Sequence, residues 1–93
     1  MAEEKTVKAM KRIDAANAPI LEEELKEVIA KGAECLIIDM EETVYICSVG
    51  LRVLLATQKK IRNSGNEMKI IHVLPQIMEN FEMTGFSGIM TIE

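Results

Sequence analysis

The side chains in this sequence that could do chemistry are few. There are two cysteines, Cys35 and Cys47, and one histidine, His72. Cys47 is followed by Ser48-Val49-Gly50-Leu51-Arg52, so a thiol and a hydroxyl adjoin, with a guanidinium one helical turn on. This run sits where an extended segment gives way to a helical pattern. A serine there can cap the helix by accepting a backbone N–H from its first turn. A cysteine at the same junction can be held as thiolate by the same N–H groups and dipole. The first role is structural, the second that of an enzyme.

The rest of the chain narrows the choice. No C-x-x-C or H-x-x-x-H spacing occurs, so no metal site is expected. His72 falls in the apolar run Ile70–Leu74 and reads as a packed or edge residue of a strand. The carboxylates lie at helix starts and in loops, and no motif sets two of them together. A dinucleotide-binding turn would need G-x-G-x-x-G after the first strand, yet residues 13–20 hold no glycine. There is no P-loop and no G-x-S-x-G elbow, and no cofactor is expected.

The elements that must position Ser48 follow from periodicity. Lys5 to Arg12 alternates as a strand. Asn17 is the expected N-cap of a first helix, with Pro19 in its first turn, Glu22, Glu23 and Glu24 near its positive end, and Leu21, Leu25, Val28 and Ile29 as its buried stripe. Lys31-Gly32 supplies its stop. Cys35 to Ile38, closed by Asp39, is a short apolar run of the kind buried on both faces of a parallel sheet. Val44 to Ile46 is a short extended piece. A second helix starts near Ser48, with Ser48 as its expected cap, and runs to Asn63. Its core face is Leu51, Leu54, Leu55, Gln58 and Ile61, which turns Val53, Ala56 and Thr57 outward as a mildly apolar stripe. Met68 to Val73 is a strand, Pro75 opens a third helix with Ile77, Met78 and Phe81 inward, Gly85 ends it, and Ile89 to Ile92 is a last strand. Strands alternating with helices predict an α/β fold with right-handed crossovers: a mainly parallel sheet of four to five strands with three helices.

Composition agrees. The 93 residues make one expected domain, 1–93, with 48% hydrophobic and 28% charged residues and an aliphatic core, since aromatics are only 3%. The net charge of −4 argues against nucleic acid, which needs clustered cations; Lys59, Lys60 and Arg62 read as a solvated helix face. Residues 1–5 are polar with no apolar leader, no run reaches the roughly 20 residues of a membrane span, and two cysteines fit reduced thiols. The expected compartment is the cytoplasm.

Ile46-Cys47-Ser48-Val49-Gly50-Leu51, followed by Val53-Leu54-Leu55, resembles the hallmark of the STAS family of anti-sigma factor antagonists, typically apolar-Asp-Ser-Ser/Thr-Gly-Leu/Ile at the start of the second main helix. Four further segments agree in order. Arg12 to Ala18 resembles the family's strand-end Asp leading into the first helix. Leu36 to Met40 resembles its central strand, Gly65 to Ile70 its glycine turn and next strand, and Phe81 to Phe86 its third helix and stop. The likeness spans residues 6–93. It implies a STAS-like binding module, not an enzyme, whose partner is an anti-sigma factor that is also a serine protein kinase. Ser48 matches the phosphorylated serine: the unmodified domain holds the kinase, phosphorylation ends the complex, and a PP2C-type phosphatase restores it. The implied partner surface is Asp14, Asn17, Cys47, Ser48, Val49, Gly50, Arg52, Val53 and Ala56.

Two positions depart from the motif: Cys47 stands where the family has Asp, and Val49 where it has Ser or Thr. The family also often has a further strand before the one ending here at Arg12, and many members add a helix beyond the point matching Glu93. Two alternatives remain open. STAS domains also serve other partners, in stressosome-like assemblies and transporter tails. And Cys47 to Arg52 is C-x4-R, one residue shorter than the C-x5-R loop of cysteine phosphatases, so a thiolate enzyme stays in view.

Overall fold

A computed structural model describes residues 3–93; Met1 and Ala2, which open the segment expected to hold no apolar leader, lie outside the described residues. The elements are β1 (Glu4–Lys8), β2 (Arg12–Ile13), α1 (Ala18–Ala30), β3 (Cys35–Asp39), β4 (Tyr45–Ile46), α2 (Ser48–Asn63), β5 (Glu67–Ile71), α3 (Pro75–Met83), a 3-10 turn (Phe86–Gly88) and β6 (Thr91–Ile92). The main sheet has four strands in the order β1-β3-β5-β6, and β2 and β4 form a separate two-stranded pair. Every pairing is parallel. This is the α/β fold and helix number the sequence predicts.

The strand order fixes where the helices lie. Each crossover (β1 to β3 through α1, β3 to β5 through α2, β5 to β6 through α3) steps the same way along the sheet. Right-handed connections that all step one way put every helix on one face. The burial pattern agrees. Val7, Leu36, Ile38, Met68 and Ile70 alternate onto the helix side and are buried, while Thr6, Ile37, Lys69 and Ile71 on the other side keep contact with solvent. Cys35, also on that second side, is shielded by its neighbours: it pairs in register with Glu4 and Glu67, and burial pushes its thiol pKa up. The helices close the core with Leu21, Leu25, Leu54, Ile61, Ile77 and Phe81, the last packed 5.5 Å from the ring of Phe86.

Several local expectations are corrected. The strand expected over Lys5 to Arg12 is two pieces. Ala9 N–H still donates to the Asp39 carbonyl, but there β3 ends, because Met40 N–H turns to Ile71 O and Glu41 N–H folds back to Asp39 Oδ1. With no strand left opposite, the chain changes partner: Thr43 Oγ1 donates to Met10 O, Val44 N–H to Lys11 O, and β2 pairs with β4. Thr43, in a segment that reads as polar loop, is therefore fully buried. Helix α1 begins at Ala18, so Glu22 to Glu24 fall past its first turn. The last strand is shorter than expected. After Gly85, whose φ of 78° is the left-handed conformation glycine tolerates, the 3-10 turn buries Phe86 against Phe81 and leaves only Thr91 and Ile92 to pair. His72 lies just past β5 and is exposed, not packed within the strand.

Candidate functional site

The site is built where β2 and β4 deliver their chains to α1 and α2. Register sets Arg12 beside Tyr45 and Ile13 beside Ile46. Cys47 N–H then donates to the Ile13 carbonyl, which fixes the backbone immediately before Ser48. Cys47 is extended (φ −98°, ψ 176°) and is the N-cap residue; Ser48 is the first helical residue. The expected capping role for Ser48 is thus corrected. The Cys47 carbonyl accepts the first helical bond from Leu51 N–H, and no side chain caps the end. The N–H groups of Ser48, Val49 and Gly50 consequently have no intrahelical acceptor. The Ser48 side chain is exposed beside them.

Gly50 is what lets the helix start here. A Cβ on Gly50 would lie 2.6 Å from Ile13 Cγ2 and 2.9 Å from Ile46 Cγ1, both on fully or nearly fully buried side chains. The first turn of α2 therefore rests directly on the β2–β4 pair, and glycine at this position is a packing requirement.

The neighbouring turn is held by Asp14. Its Oδ1 accepts from Ala16 N–H and Asn17 N–H, at 3.1 and 2.9 Å. Asn17 was expected to cap α1, but its backbone is already helical (φ −92°, ψ −23°), so its side chain turns back and Nδ2 donates to Arg12 O at 2.9 Å. The Arg12 guanidinium lies 4.4 Å over the Tyr45 ring. Asp14 and Asn17 thus brace the β2 end that supports Cys47 and Gly50.

On α2, Arg52 and Ala56 are exposed and Arg52 stands one turn after Ser48. Val53 and Thr57, expected on an outward stripe, are instead buried at 7% and 6% exposure. The helix face turned inward is broader than the Leu51–Ile61 stripe implies, because α2 packs on both α1 and β5. Exposed apolar groups lie on the elements meeting at this end: Ile20 in the first turn of α1, Val44 and Tyr45 at β4, and Val49 beside Ser48. Sequence reading names only Val49 of these, since exposure of Ile20 and Tyr45 depends on which side of a two-residue strand or helix start faces out. A cleft of about 440 Å3 between the second half of α2, β5 and β6 includes Gln58 and Lys69 but none of the expected site residues.

A second cluster was not legible in the sequence. His72 Nδ1 lies 3.0 Å from Asp39 Oδ1 and 3.7 Å from Glu41 Oε2. Among the described residues, Asp39, Glu41 and His72 are the set whose carboxylate and imidazole atoms lie close enough to share one cation. They come together because β3 and β5 are neighbours and both end there. The Glu41 N–H, and then the His72 ring, hold the Asp39 carboxyl below its ordinary pKa. A depressed folded-state pKa contributes stability that is present above the unfolded-state value, about 3.9 for Asp, and lost as pH falls through the folded one. Thermal melts from neutral pH down into this acid range should therefore show wild type losing stability more steeply than Asp39→Asn; parallel curves would count against the assignment.

Comparison with known proteins agrees with this arrangement. The family model for the STAS domain matches residues 5–93. The chain belongs to the STAS domain family. It is 31% identical over 80 residues to the anti-sigma-B factor antagonist of Bacillus subtilis, a match covering 86% of this chain and 72% of that protein. Its fold is similar to that of an anti-sigma factor antagonist from Mycobacterium paratuberculosis (TM-score 0.87, 26% identity, 96% of this chain and 75% of that one). It is also similar to the Bacillus cell fate determinant SpoIIAA in its phosphorylated form (TM-score 0.74, 14% identity, all of this chain and 85% of that one), a likeness of fold alone. No helix among the described residues is long and apolar enough to cross a membrane.

Proposed function

We propose that this STAS domain is an anti-sigma factor antagonist that sequesters an anti-sigma factor with serine kinase activity, and that phosphorylation of Ser48 releases it. In this reading residues 1–93 act as one cytoplasmic unit without catalysis of their own, and a PP2C-type phosphatase reverses the switch. The observation that carries it is the state of Ser48: an exposed hydroxyl on the first residue of α2, with Cys47 serving as the cap residue and three first-turn N–H groups beside it. A phosphate here would carry about −1.5 to −2 charges, which those N–H groups and the helix dipole favour in the free domain. In a close interface the same charge must be paired or desolvated, and the complex weakens. The partner surface would combine Ser48, Val49, Arg52 and Ala56 with Tyr45 and Ile20, apolar ground around one switchable group. Asp14, Asn17, Cys47, Gly50 and Val53 would support it from beneath.

Cys47 and Val49 do not alter this logic. The family's Asp and Ser/Thr would add polar groups beside the serine, but the exposure of Ser48 and its place at N1 come from the backbone and from Gly50. Incubation with the cognate kinase and ATP, followed by intact mass measurement, should add one phosphate to wild type and none to Ser48→Ala. Absence of phosphate on wild type, or its persistence on Ser48→Ala, would sink the reading.

A further inference from the structure

Two carboxylates and an imidazole meet where β3 and β5 end. These are the two interior strands of the order β1-β3-β5-β6, so the meeting point is flanked by paired strands on both sides. Asp39, the last residue of β3, pairs in register with Ile71, the last of β5. Glu41 lies two residues beyond Asp39, and His72 directly follows Ile71. His72 Nδ1 is 3.0 Å from Asp39 Oδ1 and 3.7 Å from Glu41 Oε2, and the three donor atoms all lie within 4.8 Å of one another. Zinc takes nitrogen and oxygen ligands at about 2.0–2.2 Å, which at tetrahedral angles sets neighbouring donors about 3.4 Å apart. The two distances to the imidazole bracket that spacing, so one ion fits among the three after small side-chain adjustments.

The backbone holds this donor set in place. Glu41 N–H donates to Asp39 Oδ1 at 3.0 Å, the kind of outer partner that orients a ligating carboxylate. Met40 N–H donates to Ile71 O at 3.0 Å and ties the two strand ends together. His72 has a φ of 57°, so the chain turns away from the sheet there while the ring stays against Asp39. Asp39 is half-buried, and Glu41 and His72 are exposed, which leaves room for water on an ion bound among them. The charges also suit a divalent cation: two carboxylates and a neutral imidazole. Lys8 pairs in register with Asp39, but its ammonium is drawn 2.9 Å from Glu42 Oε2. Carboxylate and water alone would suit magnesium or calcium; an imidazole in the set favours zinc and its first-row neighbours.

We propose that Asp39, Glu41 and His72 bind one divalent first-row transition metal ion of the zinc or cobalt kind, with water completing its shell. His72 coordinates through Nδ1 as the neutral ring and carries its proton on Nε2. The ion then takes the place of the hydrogen bond between His72 and Asp39. It clamps the end of β5 to the turn that leads from β3 into β4. No spacing within the sequence announces the site, because Asp39 and His72 meet only through the pairing of β3 with β5. It is independent of the switch at Ser48.

Titration of the chelator-treated chain with cobalt(II) chloride, followed by visible absorption and by calorimetry, tests it; zinc(II) chloride should then displace the cobalt. Wild type should bind one ion per chain, and magnesium and calcium chlorides at the same concentrations should not compete. Glu41→Gln and His72→Asn should each weaken binding at least about tenfold, the loss that even an outer partner of a metal site commonly causes. Asparagine at position 72 tolerates the left-handed backbone, and circular dichroism checks that both variants fold. If His72→Asn does not fold, Glu41→Gln decides alone. A wild type that binds no cobalt at millimolar concentration overturns the proposal. So does binding that is indifferent to both substitutions, equal competition by magnesium or calcium, or a thiolate-to-cobalt charge-transfer band, which would place the ion on Cys47 instead.

Discussion

Replacing Gly50 with alanine is expected to lower the melting temperature by about 4–16 °C, a loss of about 1–2 kcal/mol for a chain of this size. Two effects oppose here, because alanine is the better helix former by up to about 1 kcal/mol. Against that gain stands the space. The added methyl would lie 2.6 Å from Ile13 Cγ2, 2.9 Å from Ile46 Cγ1 and 3.2 Å from the Ile13 carbonyl oxygen. Ile13 is fully buried and β-branched, so its χ1 is restricted and the packed core leaves it little room to retreat. Its carbonyl is held by Cys47 N–H, so the backbone cannot yield without breaking the bond that positions Ser48. Overpacking of this kind costs about 1–3 kcal/mol, which exceeds the propensity gain over most of its range. Gly50→Val should be worse on both counts. Gly88→Ala is the control: nothing lies within 4 Å of the added carbon, and its melting temperature should stay close to wild type. A Gly50→Ala chain that melts at or above wild type would mean that α2 does not rest on β2 and β4 as described.

The same glycine shows what the sequence can and cannot convey. The motif Ile46 to Leu51 and the order of the neighbouring elements suffice to read out the α/β fold, the three helices and the position of Ser48 at a helix start. They do so because apolar period and stop residues are local signals: Leu21 and Leu25, the apolar run of β3, and Gly32 with φ 86° are each visible within a few residues. What failed depended on which of several competing contacts wins, within one turn at Asn17 and between distant segments elsewhere. Asn17 is a good cap by type, but Asp14 had already supplied the acceptor and Arg12 O a better use for its amide. Ser48 is a cap by type as well, and it is the hydrogen bond from Cys47 to Ile13 that moves the helix start by one residue. Val53 and Thr57 look outward on a single-stripe helix; a helix wedged between α1 and β5 has two inward flanks. The Asp39–His72 pair joins residues 33 apart, which no spacing rule reaches.

Ser48→Asp is expected to do two opposite things, and the opposition is what makes it decisive for the proposed switch. In the free domain a carboxylate at N1 faces the unpaired N–H groups of Ser48, Val49 and Gly50 and the positive end of the helix dipole, a gain of about 0.3–1 kcal/mol. Arg52, one turn on and exposed, adds an i, i+4 ion pair of about 0.3–0.5 kcal/mol. The variant should therefore melt at or slightly above wild type. In the proposed complex the carboxylate would be enclosed in a surface that includes the exposed apolar groups Val49, Tyr45 and Ile20, where an uncompensated buried charge costs about 3–5 kcal/mol. Binding to the proposed anti-sigma factor kinase should weaken at least about a hundredfold, since each 1.4 kcal/mol is a factor of ten. Ser48→Ala removes the hydroxyl without adding charge and should bind within a few-fold of wild type. Calorimetric titration with the kinase, beside thermal melts of the same preparations, separates the two effects. Equal affinity for wild type and Ser48→Asp would remove the electrostatic switch, whereas lost binding accompanied by a lower melting temperature would trace the effect to damage in α2. Arg52→Ala sharpens the test further: if Arg52 partly neutralises the charge at Ser48, its removal should leave wild-type binding nearly unchanged and make the Ser48→Asp defect larger.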